Sequence, residues 1–361
     1  MAFSAGEITN IANSALDFYL NKGETFKQSI QAKPLLDMLE KKAKTFPGGK
    51  GNISLAVKGV YGAGGVNDGV TGYTHNDTVN FYTPANVQRV NYPWREHHIG
   101  LTLTHTELKI DGISVTDEGG DGTTLSNHSE REMTVLVGLL ADKLEDFGEQ
   151  YAIKMNALAW GDGTADAKAM AGVRSLVVDA PTLGTLGGLA RTTNTWWRNR
   201  AATAANAAAG GQAAITSATT GGGVLWQFLQ AEHRQLVRYG ARPDTWLCGS
   251  SFLGALETEL RANGLYTMSG FAGPRDGSMG DVRLSDKLVA KYDPTLDDLG
   301  YSKRAYIWDS RDIYLMKMED EWRHTFTPSR PANQFVLYKS MTNTGQVVAT
   351  KVNGSAVYDI N

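Results

Sequence analysis

The chain has 361 residues, more than one hydrophobic core usually holds, so we expect two or three domains, or one domain with large excursions. Its 35 basic and 38 acidic residues give a formal net charge of −3, which argues against a protein whose main task is to grip nucleic acid. The single cysteine, Cys248, excludes an internal disulfide and a multi-cysteine metal site, and fits folding in a reducing compartment.

The first residues, "MAFSAGEITN", have neither the basic nor the apolar segment of a signal peptide, and no stretch approaches 18 apolar residues. We therefore expect neither secretion by a standard signal nor insertion into a membrane. The 40 glycines cluster along the chain, which predicts long extended or flexible segments.

Residues 1–51 are predicted to form an N-terminal arm with helical pieces. In "PLLDMLEKKAK", Pro34 stands in the first turn of a short helix, a position that tolerates proline. Seven lysines occur between residues 21 and 50, against Glu24, Asp37 and Glu40. They are interpreted as a solvated helix face; the alternative is a basic arm that faces inward and touches a polyanion.

An extended hairpin is predicted from residue 52 to residue 92. "NISLAVKGV" alternates Ile53, Leu55 and Val57, and "VNFYTPANVQRVNYPW" returns with residues typical of strands. The glycine-rich stretch "YGAGGVNDGVTGY" lies between them. Because a lone hairpin is at best marginally stable in water, it should lie across another surface. We expect a neighbouring subunit to supply that surface.

A further strand is predicted in "HHIGLTLTHTEL", with Ile99, Leu101 and Leu103 on one face. His97 and His105 share this face, which raises the question of a metal site. Eight residues along one strand separate them by roughly 26 Å, so they cannot bind the same ion. We expect no metal site at this strand.

The strongest helical pattern covers residues 129–158, and Ser129 with Glu132 has the spacing of a capping box. The apolar residues recur at spacings of three, four and seven: Met133, Leu136, Val137, Leu140, Leu144, Phe147, Tyr151 and Leu158. The polar face is mainly acidic, with Glu130, Glu132, Asp142, Glu145, Asp146 and Glu149 against Arg131, Lys143 and Lys154.

The stretch "WGDGT" is similar to the beginning of a phosphate-binding loop, but it ends a helix instead of opening one after a strand. Gly161 and Gly163 are interpreted as the stop after the helix, so we expect no nucleotide site. Two candidate calcium loops fail as well. Gly119 stands where "DEGGDG" needs a ligand oxygen, and Ala167 stands where "DGTAD" needs the turn glycine.

Residues 176–304 read as a small α/β lobe. A low-complexity Ala/Gly/Thr segment, interpreted as a surface connection, precedes a helix that closes at Gly240, a short strand "DTWLCG" and a second helix. Ser250 or Ser251 is predicted to cap the second helix, with Gly264 just past its end. "GSSFL" departs from a nucleophile elbow at Leu253. Acidic runs such as "EDE" at 319–321 are interpreted as solvated, so we expect no catalytic residues, no enzyme activity and no cofactor.

The last sixty residues are predicted to be mainly β-strand. "RAYIWDS" and "RDIYLMKME" would be joined by a turn at Asp309 and Ser310. "QFVLYKSM" and "QVVATKV" would be joined by a turn that contains "TNTG".

In this order of elements the chain resembles the major capsid proteins of tailed bacteriophages, which have the Hong Kong 97-type fold. The resemblance rests on the long helix followed by "WGDGT" and "AGVRSLV", then "TWW", "RPDTWLCGSSFLGAL" and the closing "IWDSRDIYLMKMEDEW". It covers essentially the whole chain. Each motif alone is weak, and their order and spacing carry the likeness.

The resemblance implies an α+β fold with an N-terminal arm, an extended E-loop hairpin, a P-domain that holds a long spine helix and a β-sheet, and an α/β A-domain. The implied limits are 1–51 for the arm, 52–95 for the E-loop, 96–175 for the P-domain with a spine helix at about 129–158, 176–304 for the A-domain, and 305–361 for a C-terminal β region that completes the P-domain.

The function implied by the resemblance is self-assembly into hexamers and pentamers of an icosahedral virion shell around double-stranded DNA. Implied partners are other copies of the chain, a portal, a scaffold, a decoration protein and, without sequence preference, the packaged DNA; no membrane is involved. Assembly would take place in the cytoplasm of the bacterial host. We further expect the acidic face of the 129–158 helix and the lysines of 21–50 to face the lumen.

Some members of the family crosslink their shells through a Lys–Asn isopeptide bond between an E-loop and a neighbouring P-domain. Lys58, near the base, is the only lysine of this loop, so we expect a shell without crosslinks. Two other functions stay open from the sequence: an encapsulin-like shell around an enzyme cargo, and a β-rich surface-binding protein.

Overall fold

The structure is a computed structural model that describes residues 3–4, 31–59, 72–78, 87–110, 115–116, 130–203, 224–262, 282–285, 287–326 and 336–360. Several predictions fall outside these residues. They concern the glycine-rich stretch at 60–71, the loop at 117–122, Ser129 of the capping box, most of the low-complexity segment, and Gly264.

The helices of the described residues are α1 (Pro34–Lys41), α2 (His105–Ile110), α3 (Glu130–Trp160), α4 (Val173–Leu176), α5 (Val224–Val237), α6 (Ser250–Ala262) and α7 (Pro294–Asp298), with a 3-10 turn at Thr195–Trp197. The long helix predicted at 129–158 is thus confirmed as α3. It stops where "WGDGT" predicts, and Gly163 follows with a φ of +76°.

The strands are β1 (Phe3–Ser4), β2 (Lys44–Phe46), β3 (Asn52–Lys58), β4 (Val87–Pro93), β5 (Arg95–Thr104), β6 (Val115–Thr116), β7 (Thr185–Leu186), β8 (Leu189–Ala190), β9 (Arg200–Ala202), β10 (Thr245–Cys248), β11 (Arg283–Ser285), β12 (Leu288–Tyr292), β13 (Arg304–Trp308), β14 (Ile313–Phe326), β15 (Val336–Ala349) and β16 (Ala356–Asp359). The predicted hairpin is present as the antiparallel pair β3 and β4.

Two larger sheets organise the molecule. A mixed six-stranded sheet has the order β11-β12-β10-β13-β16-β9, and a four-stranded sheet has the order β2-β14-β15-β5. The closing region is divided between them, because β13 and β16 pair within the six-stranded sheet whereas β14 and β15 form the centre of the four-stranded one. The turn at Asp309 and Ser310 therefore carries the chain from one sheet to the other instead of closing a hairpin.

The buried apolar residues form two clusters, and the six-stranded sheet contributes to both. The helices α5 and α6 contribute Leu225, Leu229 and Phe252 to a cluster with Trp246 of the six-stranded sheet. The second cluster is shared by α1, α3, the hairpin, the four-stranded sheet and residues of the six-stranded sheet, among them Leu247, Tyr306 and Trp308. Trp160, at the end of α3, is completely buried in this cluster, with its ring 5.0 Å from that of Tyr306. Within the described ranges, no helix is both long enough and apolar enough to span a membrane.

The predicted turn at "TNTG" is wrong, because β15 runs without interruption through Asn343, Thr344 and Gly345. Contacts with β14 explain why Asn343 is polar and why position 345 is a glycine. Asn343 is buried and its Oδ1 accepts a hydrogen bond from the backbone N–H of Arg323, at 2.9 Å. A Cβ at Gly345 would lie 2.7 Å from the carbonyl oxygen of Met316. The sheet requires the same residue types that a turn favours.

The predicted strand through "HHIGLTLTHTEL" ends early, at Thr104, and His105 opens α2. The cause is a reciprocal cap. The backbone N–H of Thr104 donates to Glu107 Oε2 at 3.1 Å, and the backbone N–H of Glu107 donates to Thr104 Oγ1 at 3.3 Å. This is the Thr-x-x-Glu capping box, which fixes the start of a helix. His97 and His105 therefore belong to different elements.

The predicted capping of α6 by a serine side chain is also wrong. The helix begins at Ser250, so both serines lie inside it. Asp297 accepts a hydrogen bond from the N–H of Ser250 at 3.0 Å, and the Ser302 carbonyl accepts one from the N–H of Phe252 at 3.1 Å. Groups about 50 residues away in sequence thus accept the hydrogen bonds of the free backbone N–H groups in the first turn of this helix.

Candidate functional site

The base of the hairpin is anchored on its own chain. Ile53 and Val57 of β3 and Val90 and Tyr92 of β4 are all buried in the cluster that contains α3. They alternate with exposed residues, as expected of a strand pair with one covered face. The expectation that a neighbouring subunit covers this face is therefore wrong for the described part of the hairpin.

The surface under the hairpin includes the turn of the short β7–β8 pair and the end of β15. The backbone N–H of Asn91 donates to the carbonyl of Gly187 at 2.9 Å, and the phenol of Tyr92 donates to the carbonyl of Ala349 at 3.0 Å. Gly187 has a φ of +59°, and a Cβ there would lie 2.9 Å from that of Val90. The close approach of the backbone at Gly187 to β4 thus holds the hairpin against the rest of the subunit.

The described hairpin ends against a tryptophan. The ring of Trp196 lies on Gly59, and a Cβ at that position would come within 1.8 Å of the indole. Trp196 is one of the paired tryptophans that lead into the low-complexity segment of the predicted A-domain. The requirement for glycine at position 59 is therefore set by a residue 137 positions later in the sequence.

One of the lysines that were expected to face a lumen is paired with an acidic residue of α3. Lys33 Nζ lies 3.0 Å from Glu149 Oε1 of α3, and the lysine side chain is only 5% exposed. Glu40 of α1 binds Arg323 of β14 through both carboxylate oxygens, at 2.9 and 2.8 Å. Lys41, Lys42 and Lys50 are exposed. Which of these surfaces faces a lumen stays a prediction.

A buried polar joint connects α3 to the six-stranded sheet. The indole N–H of Trp160 donates to Asp293 Oδ2 at 2.8 Å, and Asn156 Nδ2 donates to Thr295 Oγ1 at 2.6 Å. Asn156 Oδ1 also accepts the backbone N–H of Leu36 at 3.0 Å. Burial raises the pKa of Asp293, and the hydrogen bonds from Trp160 and Thr295 oppose that rise. One joint thus fixes α1, α3 and α7 together.

Two buried carboxylates secure the helices of the α/β lobe. Glu259 of α6 accepts the backbone N–H groups of Leu225 and Trp226, at 3.0 and 2.9 Å, and so caps α5 from a different helix. Glu232 of α5 binds Arg200 of β9 and accepts a hydrogen bond from the phenol of Tyr358 at 3.2 Å. Sequence reasoning missed both glutamates, because nothing local distinguishes them from exposed helix residues.

The candidates for chemistry are used structurally. Cys248 is completely buried, and burial raises the pKa of its thiol, which makes the reactive thiolate unfavourable. Ser251 Oγ donates to the hydroxyl of Ser302 at 3.2 Å, and Ser251 belongs to the start of α6. In the described parts of the chain, no group of three or more His, Cys, Asp or Glu side chains could hold a metal ion.

His97 of β5 carries a pH-dependent contact. Its Nε2 accepts the backbone N–H of Met170 at 3.0 Å, so the imidazole must be neutral to make the bond. Burial lowers the pKa of His97, while the carboxylate of Asp166 opposes that shift. The contact attaches the loop after α3 to the four-stranded sheet.

Acidification is expected to weaken this contact. Because the pKa of His97 is lower in the folded state than in the unfolded chain, its contribution to stability is present above the unfolded value of about 6.5 and is lost as the pH falls through the folded value. Urea unfolding from pH 7.5 to pH 5 should show a smaller loss of stability for His97→Gln than for the parent chain. His98→Gln, at the exposed neighbouring position, is the control. An unchanged pH dependence in His97→Gln would contradict this assignment.

Comparisons with known proteins place these features in a fold. No known family model matches the chain, and no curated protein sequence matches it. Among solved structures it is similar to the capsid asymmetric unit of cyanophage A-1(L), with a TM-score of 0.60 and 13% identity over 92% of this chain and 94% of that one.

Two further structures are similar over comparable lengths. The capsid of Myoviridae phage XM1 has a TM-score of 0.52 and 12% identity, over 92% of this chain and 94% of that one. A chain of Mycobacterium phage Bobi has a TM-score of 0.51 and 9% identity, over 90% of each chain. At such identities the likeness concerns the fold. The chain has the α+β fold of phage capsid subunits, which confirms the fold implied by the resemblance in sequence.

Proposed function

We propose that the chain is a major capsid protein that self-assembles into an icosahedral virion shell around double-stranded DNA. The observation that carries the proposal is the likeness in fold to the cyanophage and XM1 capsid structures over 92% of the chain. A fold alone does not define a function, so the proposal also needs support from the surfaces of this chain.

That support comes from the hairpin. Its base is held firmly by Val90, Tyr92 and Gly187, while Ser54, Ala56, Lys58 and Arg89 on its outer face are exposed. A hairpin whose base is anchored and whose outer face is exposed suits contact with another copy. Repeated contacts of this kind build closed shells when the rotation closes.

The limits of the parts are proposed as the resemblance implies: an arm at 1–51, an E-loop at 52–95, an A-domain at 176–304, and a P-domain at 96–175 completed by 305–361. The sheet pairing adds one detail, because β13 and β16 of the last segment continue the six-stranded sheet of the A-domain.

We propose that the partners are other copies of the chain, a portal, a scaffold and a decoration protein, with DNA contact that does not depend on sequence. The place of the protein would be the virion, after assembly in the bacterial cytoplasm. We propose no catalysis and no cofactor. Lys58 is the loop's only lysine, so the shell is proposed to hold together without covalent crosslinks.

Expression with its scaffold should yield capsomers, shells, tubes or sheets. Sedimentation velocity and negative-stain microscopy measure this directly, and nuclease-protected DNA inside particles from infected cells distinguishes a virion shell from a shell around an enzyme cargo. A stable monomer with and without scaffold would contradict the capsid function. A cargo peptide in place of DNA would favour the encapsulin-like alternative.

A further inference from the structure

The outer face of the hairpin carries positive charge that no ion pair within the described residues balances. Lys58 and Arg89 are both exposed on this face. In the register of the pair, Lys58 lies opposite Val87 and Arg89 lies opposite Ala56, which places the two cations diagonally, with Cβ atoms roughly 7–8 Å apart. Neither forms an ion pair with any described residue, and residues 50–59 and 87–95 contain no acidic side chain.

Negative charge projects from a bulge in β14. Lys317 pairs with Gly345 and Trp322 pairs with Asn343, so the four residues 318–321 of β14 face the single residue Thr344 of β15. The run Glu319, Asp320 and Glu321 lies in this bulge, and its first two residues are exposed. Within the residues that the structure describes, none of the three takes part in an ion pair.

The bulge is held in a fixed shape. Asp320 and Arg323 have φ values of 60° and 57°, a left-handed backbone that costs energy for residues other than glycine. Asn343 accepts the backbone N–H of Arg323, and Glu40 binds its guanidinium. Because Arg323 is already paired with Glu40, its charge is not available to the acidic run.

The two charged groups are too far apart to meet within one chain. Lys317 and Arg95 both pair with Gly345, so the bulge begins level with Arg95. β4, which precedes Arg95 in the chain, lies on the side away from the bulge, because the phenol of Tyr92 donates to the carbonyl of Ala349, five residues along β15 from Thr344. Five residues of a strand span roughly 17 Å, and Arg89 lies three residues before Tyr92 on β4. A contact between them needs a second copy.

We propose that Lys58 and Arg89 of one copy bind the acidic bulge at 319–321 of a neighbouring copy. The inference rests on the proposed function, since a shell presents each copy with both halves of the contact. Both halves are on the same chain, and neither has an ion-pair partner among the described residues, which favours a second copy over an unrelated protein. Such a head-to-tail contact is heterologous and repeats around a ring. Exposed charges of this kind set orientation and association rate, and their effect falls with salt.

Charge reversal tests the proposal. Lys58→Glu with Arg89→Glu should lower particle yield by about tenfold or more, because like charges would then face each other. Adding Glu319→Lys and Asp320→Lys to the same chain should restore the yield. Lys168→Glu with Lys287→Glu reverses two exposed lysines on other elements and should leave the yield unchanged. Thermal unfolding of each soluble subunit verifies that the variants fold.

A pair of substitutions that removes the two positive charges without reversing them gives a second measurement. Particles of Lys58→Gln with Arg89→Gln should dissociate at a lower NaCl concentration than the parent particles. Normal yield from the reversed hairpin, or a folded quadruple variant that does not recover, would overturn the contact while leaving the capsid function intact. Failure of the unaltered chain to form any particle would instead overturn the proposed function.

Discussion

Replacing Trp160 by alanine is expected to destabilise the chain by about 5 kcal/mol. The side chain is completely buried, its ring lies 5.0 Å from that of Tyr306, and its indole N–H donates to Asp293. Alanine would leave a large cavity in the cluster that α3 shares with both sheets, and a buried carboxylate without that donor. Because a domain is stable by only about 5–15 kcal/mol, the substitution would remove a large part of its free energy of unfolding.

Urea unfolding of the soluble subunit measures this effect. Trp160→Phe keeps most of the ring volume but lacks the N–H, so it should cost about 1–3 kcal/mol and separate the hydrogen bond from the packing. Ile153→Ala, at a position of the same helix that is 40% exposed, is the control and should change stability far less. If Trp160→Ala unfolds at the parent's urea concentration, the joint between α3 and the six-stranded sheet does not stabilise the fold.

The elements with strong local signals were predictable from the sequence. The spacing of apolar residues is enough for α3, because a helix buries one stripe whatever it packs against. The alternation of Ile53, Leu55 and Val57 likewise indicates that one face of the hairpin is covered. It cannot indicate by what, because Val90 and Gly187 meet only after the chain has folded.

The wrong predictions of a turn at 343–345 and of a serine cap for α6 have a common cause, because residues distant in sequence determine the local structure there. Polar and small residues at 343–345 suggest a turn when read locally, yet the bulge in β14 requires them in the middle of a strand. The caps of α5 and α6 come from Glu259 and Asp297, outside the helices they cap. The box formed by Thr104 and Glu107 was different, because its spacing was visible in the sequence and should have ended the predicted strand.

The proposed contact surfaces were less predictable than the fold. In the sequence, the run Glu319, Asp320 and Glu321 is indistinguishable from other solvated charge runs. The pairing of β14 with β15 shows that it lies in a bulge. Lys33 has the appearance of an exposed basic residue, but it is paired with Glu149 in the interior. Charge in a sequence therefore identifies candidates, and only the fold shows which of them remain exposed.

Deleting residues 62–72 is expected to leave the folded subunit intact and to abolish particle formation. Most of this segment lies outside the described residues, so the expectation rests on its glycine-rich sequence and on the base below it. The deletion leaves Ile53, Val57, Val90 and Tyr92 in place, and these residues make the contacts of the hairpin with the body. Stability should therefore stay within about 1 kcal/mol of the parent value.

Thermal unfolding and sedimentation of the same preparations measure the two effects separately. Val90→Ala is the matched control at the buried base, and it should lower stability by about 2 kcal/mol because it opens a cavity under an otherwise complete loop. Loss of cooperative unfolding in the deletion would show that the loop belongs to the subunit's own core. Normal particle yield would contradict the expectation, because it would show that assembly does not require a contact between this loop and another copy.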